Sequence, residues 1–331
     1  MRDRNRSEAP LVSVVVPIYR EADNVKPLLQ RLRAVFQSVG CDWEVVFAMD
    51  PSPDHTREEI VSSIHKGEPV RLVCFSRRIG KPISLMAGLE HARGDVCVIM
   101  DADLQDPPEL ITEMLAKWQE GFNVVIAQRT SRKGEGLAYL KAAELFYWIL
   151  DHVSEVKVPK NTGDFRLLDR TVVTQACRFR ERHGFLRGIT AATGFSTAIV
   201  PFERDPRLTG RTQISFSGAV NIALDGIIPF SRLPVRMIFW AGVIFVVSAL
   251  LGGMVGTAVG LARGFPDLWP VFFLCTLSIG LCGMVLVALG VIGEYLVRTY
   301  EETRDRPWYI VEEILESETL ASRSESIPPR R

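Results

Sequence analysis

Two long apolar stretches near the C-terminal end constrain the architecture of this chain more than any other feature. Residues 237–261 contain 25 residues without a charge, and residues 268–293 contain 26. Each exceeds the roughly 20 residues that a helix needs to cross the hydrocarbon core of a bilayer. Since only residues 262–267 separate them, the pattern predicts a transmembrane hairpin of two helices and excludes a purely soluble protein.

The distribution of arginines around this hairpin predicts its orientation. Arginines lie on both outer flanks, at Arg232, Arg236, Arg298, Arg304 and Arg306, whereas the connection holds only Arg263. Positive residues stay on the cytoplasmic side of a membrane. We therefore expect a multi-pass protein of the cytoplasmic (inner) membrane with both termini in the cytoplasm. Glycines along both helices permit close helix packing and favour a homo-oligomer.

The charge balance limits the classes of partner. The 331 residues carry 39 Lys and Arg against 39 Asp and Glu, so the formal net charge is zero. Nucleic-acid-binding domains carry a basic excess, and this balance therefore argues against a nucleic-acid partner. The polar first ten residues predict a tail and no signal peptide.

The first 130 residues alternate apolar runs with helical patterns. Five continuous apolar runs are bounded by polar turns, at residues 12–18, 44–49, 70–75, 95–100 and 123–128. Such runs are typical of strands buried on both faces of a parallel sheet. Between them, apolar residues recur at helical spacing over residues 24–39, 54–66, 81–93 and 108–120. The alternation predicts an α/β fold with a mostly parallel sheet.

The pattern after residue 130 is looser. It predicts a helix over 137–153, a strand over 163–168 and a helix starting at Asp169. Residues 214–230 are amphipathic, which predicts a helix at the bilayer interface, with an ordinary domain-closing helix as the alternative. The resulting division is a polar tail (1–10), a catalytic domain (11–213), an interfacial helix region (214–234), two transmembrane helices (235–297) and a cytoplasmic segment (298–331). Residues 317–331 are expected to be disordered.

The most informative polar group follows the fourth predicted strand. Asp101, Asp103 and Gln105 alternate in an extended segment, so their side chains fall on one side of it. In an open α/β sheet, ligands bind beyond the carboxyl ends of the strands. Oxygen ligands at that place suit Mg²⁺ or Mn²⁺, which in turn would bind a diphosphate. The alternative is a solvated acidic loop.

Several motifs together resemble a known family. They are VVVPIYREADN, SRRIGKPISLMAGLEHARGD, MDADLQDPPEL, QRTSRKGEG, NTGDFRLLDR and the trailing RPWYIVEE. The chain resembles, over about residues 10–310, the polyprenyl-phosphate glycosyltransferases of family 2, which include dolichyl-phosphate mannose synthase and bactoprenol glucosyltransferase. The resemblance implies a GT-A, Rossmann-like domain and metal-dependent transfer from a nucleotide-sugar donor to a polyprenyl phosphate.

The resemblance also implies roles for residues on the donor side. Residues expected to line the nucleotide-sugar pocket are Pro17, Tyr19, Glu21, Asp50 and Asp101. Asp101 would face the ribose and the diphosphate, while Asp103 and Gln105 would hold the metal. Lys81 opens a helix after a glycine, so it is expected either to touch phosphate or to be solvated.

A second set is implied on the acceptor side. Arg129 and Arg132 would contact donor or acceptor phosphate, and Asp164 would lie beside the sugar and the acceptor. Arg207 and Gln213 match a loop that closes over the phosphates. Catalysis is therefore expected to depend on Asp103, Asp164 and Arg207. Arg166 follows Asp164 in the same motif. It is expected either to take part in the site or only to pair with a neighbouring carboxylate.

The sequence departs from the family pattern at three positions. Met49 precedes Asp50 where the family has a second acid, so the identity of the nucleotide base in the donor stays open. Arg20 and Arg78 stand where asparagine is customary, and both add positive charge at the pocket mouth.

The charges predict the reaction type. A phosphate acceptor is already ionised near neutral pH and needs positioning more than a general base. A single displacement would invert the anomeric carbon of the transferred sugar. Two alternatives remain: a family 2 transferase with a hydroxyl acceptor, which the absence of a QxxRW-type motif disfavours, and a catalytically silent membrane scaffold, which Met49 keeps open.

Overall fold

A computed structural model of the chain describes residues 9–130, 162–179, 186–203, 233–263, 268–304 and 306–326. The chain divides into two compact units. One contains the sheet and also includes residues 307–326, and the other contains two long helices. The helices predicted over 137–153 and 214–230 lie outside the described residues and stay predictions.

The first unit is built on a mostly parallel sheet. Its strands are β1 (Val12–Ile18), β2 (Trp43–Met49), β3 (Val70–Phe75), β4 (Val96–Ile99), β5 (Val124–Arg129), β6 (Thr162–Asp169), β7 (Thr197–Phe202) and β8 (Val311–Glu316). Their order across the described sheet is β7-β5-β6-β4-β1-β2-β3-β8. Strand β6 is antiparallel to both β4 and β5, and β8 is antiparallel to β3. The α/β prediction and the five predicted strands are confirmed.

Helices connect and cover the strands of this unit. They are α1 (Ala22–Val39), α2 (Thr56–His65), α3 (Lys81–His91), α4 (Leu110–Gln119), α5 (Arg170–Ala176) and α6 (Leu186–Ala192). The second unit contains α7 (Leu233–Arg263) and α8 (Leu268–Thr303), and α9 (Glu318–Ser326) follows β8 in the first unit.

Both faces of the sheet are buried, which explains the continuous apolar runs. Along β1, Val14 and Val16 belong to one hydrophobic core and Val15 belongs to the other, because successive side chains point to opposite faces. Helix α3 lies close to β1 at Gly88, where an added Cβ would be 2.5 Å from Cγ1 of Val15. A larger residue at this position would push the helix away from the sheet.

The antiparallel insertion of β6 determines what meets at the carboxyl edge of the sheet. Ile99 of β4 and Ile126 of β5 both pair with Arg166 of β6. Because β6 runs in the opposite direction, its first residues lie beside the last residues of β4 and β5. This brings Asp164 to the edge at which the segment after β4 emerges.

The C-terminal residues complete the sheet, which corrects the expectation of disorder after residue 316. Val73 of β3 pairs with Ile314 of β8, and the Ser317 amide donates to the Val70 carbonyl at 3.2 Å. Helix α9 follows, with Leu320 only 3% exposed. The expectation of disorder was therefore wrong for residues 317–326, because Leu320 is buried and the Ser317 amide bonds to β3.

The two long helices pack against each other in antiparallel directions. An added Cβ at Gly253 would lie 3.0 Å from the Phe273 ring, and one at Gly280 would lie 2.6 Å from the Phe245 ring. Glycines therefore permit the close packing that their positions predicted. By length and composition, Ile238–Gly260 and Gly280–Val297 are able to cross a membrane.

Candidate active site

A cavity of about 320 Å³ lies at the carboxyl ends of β1, β2 and β4. Its lining includes most of the residues expected on the donor side, namely Pro17, Tyr19, Glu21, Asp50, Lys81, Asp101 and Asp103. Arg78, Gly80 and Ser84 also line it. Several of these residues are polar, so the cavity suits a charged, hydrogen-bonding ligand.

Asp50 organises one wall of the cavity through the backbone. Its Oδ1 accepts from the Ile79 amide and its Oδ2 accepts from the Gly80 amide, both at 3.0 Å. Gly80 has a φ of 85°, a conformation that glycine adopts without strain. Asp50 is 4% exposed. It therefore fixes the loop that leads into α3 and places Lys81 at the start of that helix.

Tyr19 lies between two arginines at the mouth of the cavity. The guanidinium carbon of Arg78 lies 4.2 Å from the centre of the Tyr19 ring, and that of Arg20 lies 5.3 Å from it. Both arginines that replace the customary asparagines thus contact one aromatic ring. Cation–π contacts of this kind attract the two guanidinium groups to the ring and concentrate positive charge there.

The backbone beside Tyr19 is held in an uncommon conformation. Arg20 has a φ of 58°, and its amide donates to the Ser52 hydroxyl at 2.9 Å. The next amide, that of Glu21, donates to the Thr56 hydroxyl at 3.0 Å. These bonds tie the loop after β1 to the loop after β2. Strained residues of this kind persist where the surrounding structure fixes them, and they cluster at functional sites.

Lys81 joins two acidic residues from different strands. Its Nζ lies 2.7 Å from Oδ1 and 2.9 Å from Oδ2 of Asp101, and 3.1 Å from Oδ2 of Asp164. Burial favours the neutral amine, but the charges of Asp101 and Asp164 outweigh it and raise the pKa of Lys81. Lys81, whose side chain is 43% exposed, is therefore an ion-pair partner of both carboxylates.

Asp164 is held by a second cation that the sequence analysis did not identify. Nε of Arg187, on the short helix α6, donates to Oδ1 of Asp164 at 2.9 Å. Burial opposes ionisation of this carboxyl, yet the charges of Arg187 and Lys81 outweigh it and hold the pKa of Asp164 well below its usual range. Asp164 is thus a stable anion with little tendency to accept a proton.

Arg166 has a structural role at the start of β6. It is 1% exposed and donates to the Gly163 carbonyl at 2.8 Å and to the Thr190 hydroxyl at 2.6 Å. Burial lowers the pKa of Arg166 to about 10, while the charge of Asp164 opposes that shift. These bonds connect the part of β6 around Asp164 to helix α6, on which Arg187 lies.

The acidic segment after β4 supplies two carboxylates to the cavity, at Asp101 and Asp103. The backbone N–H of Gln105 donates to Oδ1 of Asp103 at 3.2 Å. Leu104, between these two residues, has a φ of 58°. Gln105 itself is 7% exposed and does not contribute to the described lining of the cavity. The structure therefore brings Asp101 and Asp103 together there but not Gln105.

This donor set is compatible with a divalent cation. Among the described residues, no cluster of three or more His, Cys, Asp or Glu side chains could hold a metal. Mg²⁺, however, is usually bound by one or two carboxylates together with substrate phosphates and water. Asp101 and Asp103 meet that requirement, because both face a cavity with room for a ligand.

Arg129 is the last residue of β5 and lies near Asp106 and Gly163. Its Nη2 is 3.8 Å from Oδ1 of Asp106, and an added Cβ at Gly163 would lie 3.2 Å from Nη2. The buried Nε of Arg129 has no hydrogen-bond partner among the described residues. Arg129 is therefore next to the segment that carries Asp164. The other expected phosphate contacts, Arg132, Arg207 and Gln213, fall outside the part of the chain that the structure describes.

Several known proteins are similar to this chain over most of its length. Residues 13–176 match the sequence family described as Glycosyl transferase family 2. An uncharacterized glycosyltransferase of Synechocystis sp. is 38% identical over 305 residues, which cover 92% of this chain and 95% of the relative. A prophage bactoprenol glucosyl transferase homolog of Escherichia coli is 35% identical, with 92% and 99% of the two chains covered. A solved mannosyltransferase from Pyrobaculum calidifontis shows 18% identity and a TM-score of 0.47, with 85% and 87% of the two chains covered.

The chain therefore belongs to family 2 of the glycosyltransferases. It is a glycosyltransferase, and its similarity to proteins named bactoprenol glucosyl transferase extends over most of both chains. The expected family, fold class and enzyme class are confirmed.

Proposed function

We propose that the protein transfers a sugar from a nucleotide-sugar donor to a polyprenyl phosphate, with inversion at the anomeric carbon, and so forms a polyprenyl-phosphate sugar. Two lines support the acceptor. One is the full-length similarity to proteins named bactoprenol glucosyl transferase, such as that of Shigella phage SfII, at 35% identity over 91% of this chain. The other is the electrostatic state of Asp164.

The ion pairs of Asp164 carry this proposal. A carboxylate that contacts both Arg187 and Lys81 is a weak base, because protonation would break two charge-assisted contacts. A hydroxyl acceptor needs a base to remove its proton, whereas a phosphate has a second pKa of about 6 and is mostly ionised at neutral pH. Asp164 is therefore suited to position cations around an anionic acceptor, and poorly suited to activate an alcohol.

The remaining residues of the cavity bind and orient the donor. Tyr19 and Glu21 lie in the segment between β1 and α1 and line the cavity, where they can contact the nucleoside. Arg78 and Arg20 add positive charge at the cavity mouth, which attracts an anionic ligand. Arg129 lies outside the lining of the cavity, beside Gly163, and would hold a phosphate with its planar fork of donors. Positioning of two anions for in-line reaction is the main task of these side chains.

A divalent cation belongs to this proposal. Asp101 and Asp103 would hold Mg²⁺ or Mn²⁺, which would stabilise the negative charge that develops on the departing nucleoside diphosphate. Both oxygens of Asp101 also contact Lys81.

We also propose that α7 and α8 anchor the enzyme in the cytoplasmic membrane. Strand β8 follows α8 in the chain and pairs with β3 of the catalytic sheet. The residues before and after the two helices must therefore lie on one side of a membrane, which requires an even number of crossings. The arginines on the outer flanks place that side in the cytoplasm.

This topology predicts which positions react with a thiol reagent outside the cell. In a variant without the native cysteines, we expect Ala262→Cys to be labelled by a membrane-impermeant maleimide on intact cells. Ile310→Cys, at a residue that is 55% exposed, should be labelled only after lysis. The lysed sample is the control for reactivity. Labelling of Ile310→Cys on intact cells would contradict the proposed orientation.

The acceptor itself is tested with the purified full-length enzyme. With Mn²⁺ and a panel of nucleotide sugars, we expect transfer to polyprenyl phosphate and at least a hundredfold slower transfer to the matching polyprenol, about 2.7 kcal/mol in barrier. Product analysis by mass spectrometry and anomeric configuration by NMR complete the measurement. Comparable rates with the polyprenol would favour the hydroxyl-acceptor alternative, and consumption of no nucleotide sugar would favour the silent scaffold.

A further inference from the structure

Lys81 occupies a central position between the two carboxylates that come from different strands. Asp101 follows β4, Asp164 belongs to β6, and Lys81 is the first residue of α3. Its ammonium contacts both oxygens of Asp101 at 2.7 and 2.9 Å and one oxygen of Asp164 at 3.1 Å. The ammonium therefore links the segment after β4, strand β6 and the start of α3.

This arrangement places a monovalent cation where a divalent cation has to be accommodated. Asp101 and Asp103 line the same cavity, and the proposed function assigns both to a metal. A divalent ion on Asp101 would share its ligand with the Lys81 ammonium. Two cations in contact with one partly buried carboxylate repel each other strongly, because the surroundings screen charge less than water does.

The second contact of Lys81 allows it to move without losing a partner. Asp164 is also held by Arg187 at 2.9 Å, so this carboxylate stays in place when Lys81 changes position. A lysine side chain is a flexible stem with a compact charge. The ammonium can thus leave Asp101, remain near Asp164 and face the cavity, where the diphosphate of a donor would lie.

We propose that Lys81 is a positioning residue that holds the place of the divalent cation at Asp101 in the metal-free enzyme and is displaced from Asp101 when metal and donor bind together. The inference rests on the proposed function for the nature of the donor. Metal alone has to compete with the ammonium, whereas a diphosphate brings negative charge for both cations. Metal and donor therefore bind cooperatively, and each raises the affinity for the other.

The test measures Mn²⁺ binding to the purified full-length protein without nucleotide or lipid, by the loss of the electron paramagnetic resonance signal of free Mn²⁺. Lys81→Met removes the charge and keeps the length of the side chain, and we expect it to bind Mn²⁺ about tenfold more tightly than the wild type. Lys81→Arg keeps the charge and should stay within about twofold of the wild type.

Two further variants make the result specific. Lys117→Met removes a lysine that pairs with Glu120 on α4, outside the lining of the cavity, and should leave Mn²⁺ affinity unchanged. Adding Asp101→Asn to Lys81→Met should abolish the gain. A merely structural role for Lys81 predicts unchanged or weaker Mn²⁺ binding, because loss of the lysine would then only disorder the site.

Unchanged or weaker Mn²⁺ binding by folded Lys81→Met overturns the inference. Lys81→Gln provides a second neutral variant if the methionine variant does not fold, as judged by gel filtration and circular dichroism. The measurement uses neither sugar nor lipid. If Lys81→Met binds Mn²⁺ more tightly but the wild type transfers no sugar to polyprenyl phosphate, only the proposed acceptor is rejected. If the wild type transfers sugar to polyprenyl phosphate but Lys81→Met binds Mn²⁺ with unchanged affinity, only the role of Lys81 is rejected.

Discussion

Replacement of Asp103 is expected to lower sugar transfer by about a hundredfold or more, which corresponds to about 2.7 kcal/mol in activation free energy. Asp103 lines the cavity and is proposed to hold a divalent cation, so its loss would remove charge stabilisation at the leaving group. Asp103→Asn is more informative than Asp103→Ala, because the asparagine side-chain oxygen can still accept the hydrogen bond from the Gln105 backbone N–H. Initial rates with saturating donor and acceptor measure the effect.

The matched control for Asp103 is Glu113→Gln, which neutralises an exposed carboxylate on α4. This control should retain the wild-type rate, and both variants should keep the wild-type circular dichroism spectrum. If Asp103→Asn retained more than about a tenth of the wild-type rate, under 1.4 kcal/mol of barrier, Asp103 would not be an essential ligand.

The second large effect is expected at Asp164. The variant Asp164→Asn removes the anion that positions Arg187 and Lys81. We expect the rate of sugar transfer to fall by about a hundredfold, which is the effect typical of losing one preorganised electrostatic group. Asp95→Asn is a control, since Asp95 precedes β4, at the opposite end of that strand, and accepts from the Leu11 amide. Steady-state rates with polyprenyl phosphate as the varied substrate measure the loss.

The pH dependence separates a positioning role of Asp164 from a role as general base. The pKa of Asp164 is held well below its usual range, so this group stays ionised and does not titrate in the assay range. The rate should instead fall as the pH decreases below about 6, because the acceptor phosphate then takes up its second proton. The acidic limb should persist in Asp164→Asn. Its disappearance in that variant would identify Asp164 as the base.

Much of the site was predictable because parallel strands converge at one edge. Pro17, Asp50 and Asp101 each lie at or directly after the end of a buried apolar strand, and a parallel sheet brings such ends together. Asp164 was named only through the family resemblance. Its position depends on β6 running antiparallel between β4 and β5, and the direction of a strand is not visible in its apolar pattern.

Two parts of the structure could not be predicted from local sequence. Strand β8 contains Glu312, Glu313 and Glu316, so it lacks the continuous apolar run of the inner strands, as suits a strand at the edge of a sheet. Its partner β3 also lies far away in the sequence. Arg187 lies on a helix of seven residues, too short for a periodic pattern, and its ion pair with Asp164 depends on the tertiary fold.

The pairing of β3 with β8 has a consequence for how the protein is made. A ribosome completes both apolar helices before it synthesises residues 311–316, so β3 presents an unpaired edge during most of translation. Arg71 of β3, which is 3% exposed, also lacks the carboxylate of Glu316 until then. Any fragment that ends before the helices has the same open edge and leaves Arg71 with Glu44 but without Glu316. Completion of the catalytic sheet is thereby tied to synthesis of α7 and α8, and a version without these helices has to rejoin residues 307–326 to the rest of the sheet.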